Sequence, residues 1–243
     1  VGRAVVVVVA ACLLSACAAR RGRTPAEYDP WEPVNRKIFW FDDHLDRWVL
    51  EPVATGWSKV APTRVRTSVS NFFDNLRFPI VVTNEILQGK LDEAGSDVGR
   101  FAVNTTVGIF GFLDLATDWG MPRHDEDFGQ TLGVWGLSPG PYLVLPFLGP
   151  SSVRDGIGLG VDSCLAVTTW FVDVWILATA RVGVAVNDRS LILNEVREAR
   201  RSSLDYYVFV RNAYLQRRRA LVSDLPAQQQ NEEELYHPEE VVP

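Results

Sequence analysis

Four prolines, Pro139, Pro141, Pro146 and Pro150, crowd the middle of this chain of 243 residues. Each lacks a backbone donor and clashes with the carbonyl four residues back, so no continuous helix can pass through them. Residues 128–160, dense in glycine as well, therefore stand apart from the helical patterns on either side. Tyr142–Leu145 reads as one short strand, and a small β-hairpin around residues 128–150 is the most this stretch allows. The expected fold class is mainly α in a single domain.

The flanking segments carry apolar residues at helical spacing. Pro33 suits a first turn, and Val34, Ile38, Phe41, Leu45 and Trp48 follow at i, i+4, i+7, i+11 and i+14, with Glu51-Pro52 as the expected stop. Val65, Val69, Phe72, Phe73 and Leu76 repeat the pattern up to Pro79. A third helix is expected from about Leu87 to Leu115, with Leu87, Leu91, Ala94, Val98, Phe101 and Thr105 on one stripe. Gly95, Gly99 and Ala102 on another stripe invite a second backbone to approach. Gly108 and Gly111 loosen residues 104–117 enough to divide that helix. A long apolar helix is expected over Asp162–Ala180, with Gly156, Gly158 and Gly160 as its flexible entry. Its stretch Cys164–Ala180 holds one charge, Asp173, and seventeen residues sit at the low edge of a membrane span. Asp162, Thr169 and Asp173, at i, i+7 and i+11, share a narrow arc. Either the acids pair with Arg154 or Arg181, or the three form a polar wall facing a water-filled cavity. A final helix is expected over Asp188–Leu221. Arg211 and Arg218 fall within its apolar arc; Arg211 reads as half of a buried ion pair and Arg218 as a snorkelling side chain.

The balance of charge narrows the function classes. A net charge of −6 argues against gripping nucleic acid, while 47% hydrophobic residues support a sizeable core. Eight Trp, twelve Phe and six Tyr suit a membrane interface, where amphipathic rings settle. Cys12, Cys17 and Cys164 have no metal-ligand spacing and His44, His124 and His237 are scattered, so no metal or cofactor is expected. His124-Asp125-Glu126-Asp127 reads as a solvated loop. Gly136-Leu137-Ser138-Pro139-Gly140 matches a nucleophile elbow in letters only, because Pro139 has no N–H for an oxyanion. Asp42, Asp43 and His44 are adjacent on a helix and diverge. No catalytic constellation survives, so the chain is read as not an enzyme.

The N-terminus carries an address. Arg3 precedes an apolar run from Ala4 to Leu14, too short to span a bilayer, which closes on Leu14-Ser15-Ala16-Cys17. This resembles the lipobox of bacterial lipoprotein signal peptides, with residues 1–16 as the signal and Cys17 as the acylated residue. Residues 17–28 read as a lipidated tether and 223–243 as a disordered acidic tail. Ala18 after the cysteine, rather than Asp, favours delivery to the outer membrane by analogy with enteric lipoproteins.

Residues 29–222 then show a family likeness. Asp29-Pro30-Trp31-Glu32-Pro33-Val34-Asn35-Arg36, Asn71-Phe72-Phe73-Asp74-Asn75-Leu76, Arg100-Phe101-Ala102-Val103-Asn104-Thr105, Phe128-Gly129-Gln130-Thr131-Leu132-Gly133, Gly140-Pro141-Tyr142-Leu143-Val144-Leu145-Pro146 and Arg211-Asn212-Ala213-Tyr214-Leu215 together resemble the MlaA/VacJ family of outer-membrane lipoproteins. Asp42 departs from the pattern, where Asn is expected. The resemblance implies a helical, ring-like body embedded in the inner leaflet of the outer membrane. It implies removal of mislocalised phospholipids from the outer leaflet through a central amphipathic channel to a periplasmic lipid carrier, in association with a trimeric porin. The alternative is a structural lipoprotein that scaffolds a porin or envelope complex. Helical geometry, rather than the resemblance, nominates Asp162, Thr169 and Asp173 as the channel wall. Flanking Gly and Pro nominate Tyr142, Leu143, Val144 and Leu145 as a mobile gate.

Overall fold

The computed structural model describes residues 29–224, so the signal segment, the whole tether with Cys17 and nearly all of the acidic tail lie outside the described residues. The chain is mainly α-helical with one two-stranded antiparallel hairpin. Helix α1 (Glu32–Leu45) has Pro33 in its first turn, where a missing N–H costs no intrahelical bond. It does not stop at Glu51-Pro52. A π-helical turn (Asp46–Leu50) carries it into α2 (Glu51–Val60). The wider i→i+5 register makes room for the Pro52 ring, which an unbroken α register would not accommodate.

Helix α3 (Thr63–Leu76) gives way at Arg77 to α4 (Phe78–Gln88), whose first turn holds Pro79. Gly89, at φ +81°, closes α4 in the left-handed region, so the expected third helix starts only at Leu91. That helix, α5 (Leu91–Thr106), runs into turns before the short α6 (Leu115–Asp118), which the Asp114 side chain caps. The glycine-loosened segment thus divides as its composition suggested.

Asp127 caps α7 (Phe128–Val134), and the hairpin follows. Strand β1 (Tyr142–Leu145) pairs with β2 (Gly149–Ser152) in the register Tyr142 to Ser152 and Leu145 to Gly149. Ser152 then caps α8 (Val153–Leu165). Gly156, Gly158 and Gly160 therefore lie inside a helix and not in a flexible entry to one.

The continuous apolar helix expected over Asp162–Ala180 does not form. Ala166 and Val172 are extended, which isolates α9 (Val167–Phe171) between α8 and α10 (Val174–Leu191). Val167, Thr168, Thr169 and Val172 are β-branched and weak helix formers, and Asp173 uses its side chain to cap α10. The final helix is likewise divided: α10 ends at Leu191, α11 spans Leu193–Ser202, and Asp205 caps α12 (Tyr206–Ser223). Among the described residues no helix is long and apolar enough to cross a membrane.

Helix α7 packs across α8, α10 runs along α2 and α3, and α4 lies beside α5. The α7–α8 crossing depends on two glycines. A Cβ on Gly158 would lie 2.7 Å from the Cα of Gly129 and closer still to its nitrogen. The stripe of Gly95, Gly99 and Ala102 brings no backbone near: a Cβ on Gly95 would meet nothing within 4 Å, and one on Gly99 only the Met121 methyl.

Candidate functional site

The side chains of this fold are distributed inside out. Among the described residues nine apolar side chains are buried against eighteen polar or charged ones, while thirty-seven large apolar side chains are exposed. A water-soluble domain leaves apolar residues exposed singly, not in this excess. The helical periodicities foreseen on α1 and α5 are present, but much of each apolar stripe faces outward: only Ala94 of the α5 stripe is buried, and on α1 Ile38 packs against the core. On α5 the buried positions are Ala94, Asp97, Arg100 and Asn104, while Leu91 and Val98 face outward. On α1 Asn35 is buried while Val34 and Phe41 are exposed, as is Trp48 in the π turn that follows. Seven of the eight tryptophans are exposed, as are Phe171, Val174 and Ile176 between and beside Trp170 and Trp175. The turn after α5 adds Ile109 and Phe110, both exposed and both at positive φ (55° and 58°), a conformation costly for residues with a Cβ. Such a surface is chemically matched to hydrocarbon and to the membrane interface.

Polar groups inside are held by one another. Asn35 donates to the Asp29 carboxylate at 2.9 Å and to the Tyr142 carbonyl at 3.0 Å, and its own oxygen accepts from the Val144 N–H at 3.0 Å. Asp29 also receives the Tyr207 hydroxyl and lies 3.6 Å from the Arg211 guanidinium. One amide thus ties the N-terminal segment, α1 and β1 to the last helix. Asn35→Ala leaves a buried carbonyl and a buried N–H unpaired, and is expected to cost about 2 kcal/mol or more in denaturation melts in detergent.

Arg218 does not snorkel. Its guanidinium reaches Asp127 at 2.6 Å and Asp155 at 2.9 Å with only 13% of the side chain exposed. Burial pushes both acids up, and Arg218 more than offsets it, so both sit below the ordinary aspartate range. Asp127 is at the same time the cap of α7, so the ion pair fastens α12 to the α7–α8 crossing.

A cavity of about 70 Å³ lies among α3, α4, α5 and the segment before α7. It is amphipathic: Phe78, Val81 and Phe101 form part of its lining, and Asp97, Arg100 and Asp114 another part. Arg100 donates to the Asp114 carboxylate at 2.9 Å and to the Met121 carbonyl at 2.5 Å, and Asn104 supports Asp114 at 2.9 Å. The segment His124–Asp127 is no solvated loop. Glu126 is buried against Lys90 at 2.8 Å, and His124 Nδ1 lies 3.2 Å from Asp97 and 3.6 Å from Glu85. Burial, with the Asp97 carboxylate beside it, pushes the Glu85 carboxyl well above the ordinary range.

The residues singled out as a channel wall are not brought together. Asp162 is buried in α8 and accepts from the Phe128 N–H at 3.0 Å and from Asn84 at 3.1 Å, pairing with neither Arg154 nor Arg181. Thr169 sits exposed in α9 and donates to the Ser163 carbonyl at 2.8 Å, and Asp173 is the exposed cap of α10. The arc required one unbroken helix, and two extended residues remove it. In the segment read as a gate, Tyr142 and Val144 are 2% exposed and pack with Tyr207, while Leu143 and Leu145 are half-buried. The exposed part is the hairpin tip, where Phe147 packs edge-on against Phe41 and donates its N–H to Asp42. Ser138 lies exposed in an irregular stretch with no strand before it and no helix directly after it. The buried roles of Asn35, Asp97, Arg100 and Arg218 escaped the sequence reading. Polar residues at i, i+3 and i+7 in α5 were the available signal.

A family profile described as "MlaA lipoprotein" matches residues 27–221. The intermembrane phospholipid transport system lipoprotein MlaA of Escherichia coli (strain K12) is 34% identical over 213 residues, covering 84% of this chain and 82% of that protein. An uncharacterized protein of Rickettsia prowazekii (strain Madrid E) is 34% identical over 200 residues, covering 80% and 78%. A chain solved in work on the structural basis for maintenance of bacterial outer membrane lipid asymmetry superimposes with a TM-score of 0.71 at 33% identity, covering 79% of this chain and 98% of that one.

Proposed function

Because this chain belongs to the MlaA lipoprotein family, we infer that it is an outer-membrane lipoprotein of intermembrane phospholipid transport that maintains the lipid asymmetry of that membrane. It is a transport protein and not an enzyme. The observation that carries the reading is the inverted side-chain distribution: an apolar, tryptophan-rich exterior around a polar, ion-paired interior. A phospholipid crossing a leaflet needs a wet path for its head group and a greasy one for its chains, and this arrangement offers both.

We further propose that mislocalised phospholipid leaves the outer leaflet, passes this body and is handed to a periplasmic carrier, with a trimeric porin as the membrane partner. We place the polar route at the cavity beside Arg100 and Asp114, in place of the Asp162–Thr169–Asp173 arc. At about 70 Å³ it holds several waters and no lipid, so passage requires it to widen. The strand Tyr142–Leu145, pinned by Asn35, anchors the hairpin, and the exposed tip around Phe147 acts as the gate, opening by release of its contacts with Phe41 and Asp42.

The test is outer-leaflet phospholipid in cells lacking this protein, complemented with wild type or with a Phe171→Glu, Trp175→Glu variant. Deletion is expected to raise surface phospholipid and wild type to restore it. The charged variant is expected to fail, since each carboxylate set into lipid costs roughly 3 kcal/mol. Unchanged surface phospholipid on deletion would instead favour a scaffold that moves no lipid.

A further inference from the structure

Glu85 on α4, Asp97 on α5 and His124 in the segment before α7 bring one ligand atom each to within 4.8 Å of one another. Three separate pieces of chain converge there, two of them carrying carboxylates into the interior. Glu85 is fully buried, and the described group that meets its oxygens is the Asp97 carboxyl, which is no donor unless one of the pair holds a proton. A buried carboxylate without a donor is costly, and proteins rarely leave one so. The second oxygen of Asp97 accepts no hydrogen bond and forms only a long ion pair, 3.7 Å from the Arg100 guanidinium, whose own hydrogen bonds go to Asp114 and the Met121 carbonyl.

We propose that Glu85, Asp97 and His124 form a binding site for a divalent transition-metal cation of the zinc or manganese class. The two edges from His124 Nδ1, 3.2 Å to Asp97 and 3.6 Å to Glu85, bracket the ligand–ligand spacing of about 3.3 Å around a tetrahedral ion with bonds near 2.0 Å. One imidazole with two carboxylates suits zinc or manganese, whereas calcium and magnesium prefer oxygen alone. The surrounding charge also favours a cation. Glu93 and Glu126 add negative potential at Glu85, while Lys90 is occupied by Glu126 and Asp224, and Arg77 and Arg123 by Asp125 and Asp74. Access is through His124, whose side chain is 22% exposed and, like Asp97, lines the cavity. The bound ion would staple α4, α5 and the segment before α7, which together frame that cavity. This site does not depend on the transport reading.

The test uses the full-length protein in detergent, stripped with a chelator and titrated with Zn²⁺ by calorimetry and with Co²⁺ by visible absorption. One equivalent of Zn²⁺ is expected to bind, Co²⁺ to develop a ligand-field band, and Zn²⁺ to raise the melting temperature. Glu85→Gln, of the same size, and His124→Gln, at a partly exposed position, are each expected to weaken binding at least tenfold, with circular dichroism reporting that each is folded. Equal affinity in both folded variants and wild type would move the ion elsewhere and overturn the assignment. So would a wild type that binds no ion, and Glu85→Gln melting at or above it would then show that the two carboxylates simply share a proton.

Discussion

Gly158→Ala is expected to lower the stability of the protein by about 3 kcal/mol and to abolish complementation of a deletion strain. The added methyl would sit 2.7 Å from the Cα of Gly129, a backbone atom that cannot rotate away. Helices α7 and α8 would have to separate, and with them Asp127 and Asp155, the two acids that hold Arg218 of α12. Gly160→Ala, about half a turn further along the same helix, meets nothing within 4 Å and is expected to stabilise by up to about 1 kcal/mol through helix propensity alone. Thermal melts of the two variants in detergent separate packing from propensity. Equal behaviour of the two would show that the α7–α8 contact is slack.

Arg218→Met is expected to cost about 2–3 kcal/mol, because it takes the charge-assisted hydrogen bonds from a half-buried Asp127 carboxylate while keeping the apolar stem. Asp155 retains Arg154 at 3.0 Å, so the larger loss falls on Asp127. The pH dependence supplies a sharper readout. In the wild type the depressed pKa of Asp127 contributes stability that is present above the unfolded value, about 4, and is lost as pH falls through the lower folded value. In the variant the Arg218 contribution is gone and the Gln130 N–H of the α7 cap is left to oppose burial, so the folded pKa rises from its depressed value and less stability is lost on acidification. The stability gap between wild type and variant is therefore expected to narrow as pH falls below about 4. Adding Asp127→Asn to Arg218→Met should recover much of the loss, since Asn removes the charge and still caps α7. No recovery would mean that Arg218 acts through shape and not through charge.

How far each part was legible follows from what its signal depends on. Helix starts and stops written in single residues read well: Pro33 in the first turn of α1, the end of α3 before Pro79, and the loosening of the chain around Gly108. The hairpin was legible for the same reason, because four prolines leave residues 139–150 few other conformations. Pro52 was misread because a stop signal can be absorbed by a π turn, and nothing local in the sequence announces that register. The Asp162–Thr169–Asp173 arc failed because it assumed one helix across a β-branched stretch that the chain breaks twice.

The site was less legible than the fold. Arg211 stood out as a charge in an apolar arc and lies beside Asp29, but its partner was beyond reach, since the two are far apart in the chain. Arg218, expected at the surface by the same rule, is instead held by Asp127 and Asp155. His124–Asp127 looked like a solvated acidic run, yet tertiary packing carries Glu126 and the His124 contacts inside.

By itself the sequence determined the helical class, the break in the middle, the family and the excess of aromatic residues that belongs at a membrane. These depend on backbone chemistry and on periodicity, which act over a few residues. Only the tertiary structure decided which way each amphipathic face points. A helical stripe has the same period whether its apolar side faces a core or a lipid, and the choice is made by what the opposite face can pair with. Here Asn35, Asp97, Arg100 and Arg218 find partners on other segments of the chain, so the polar faces turn inward and the apolar ones are left for the membrane.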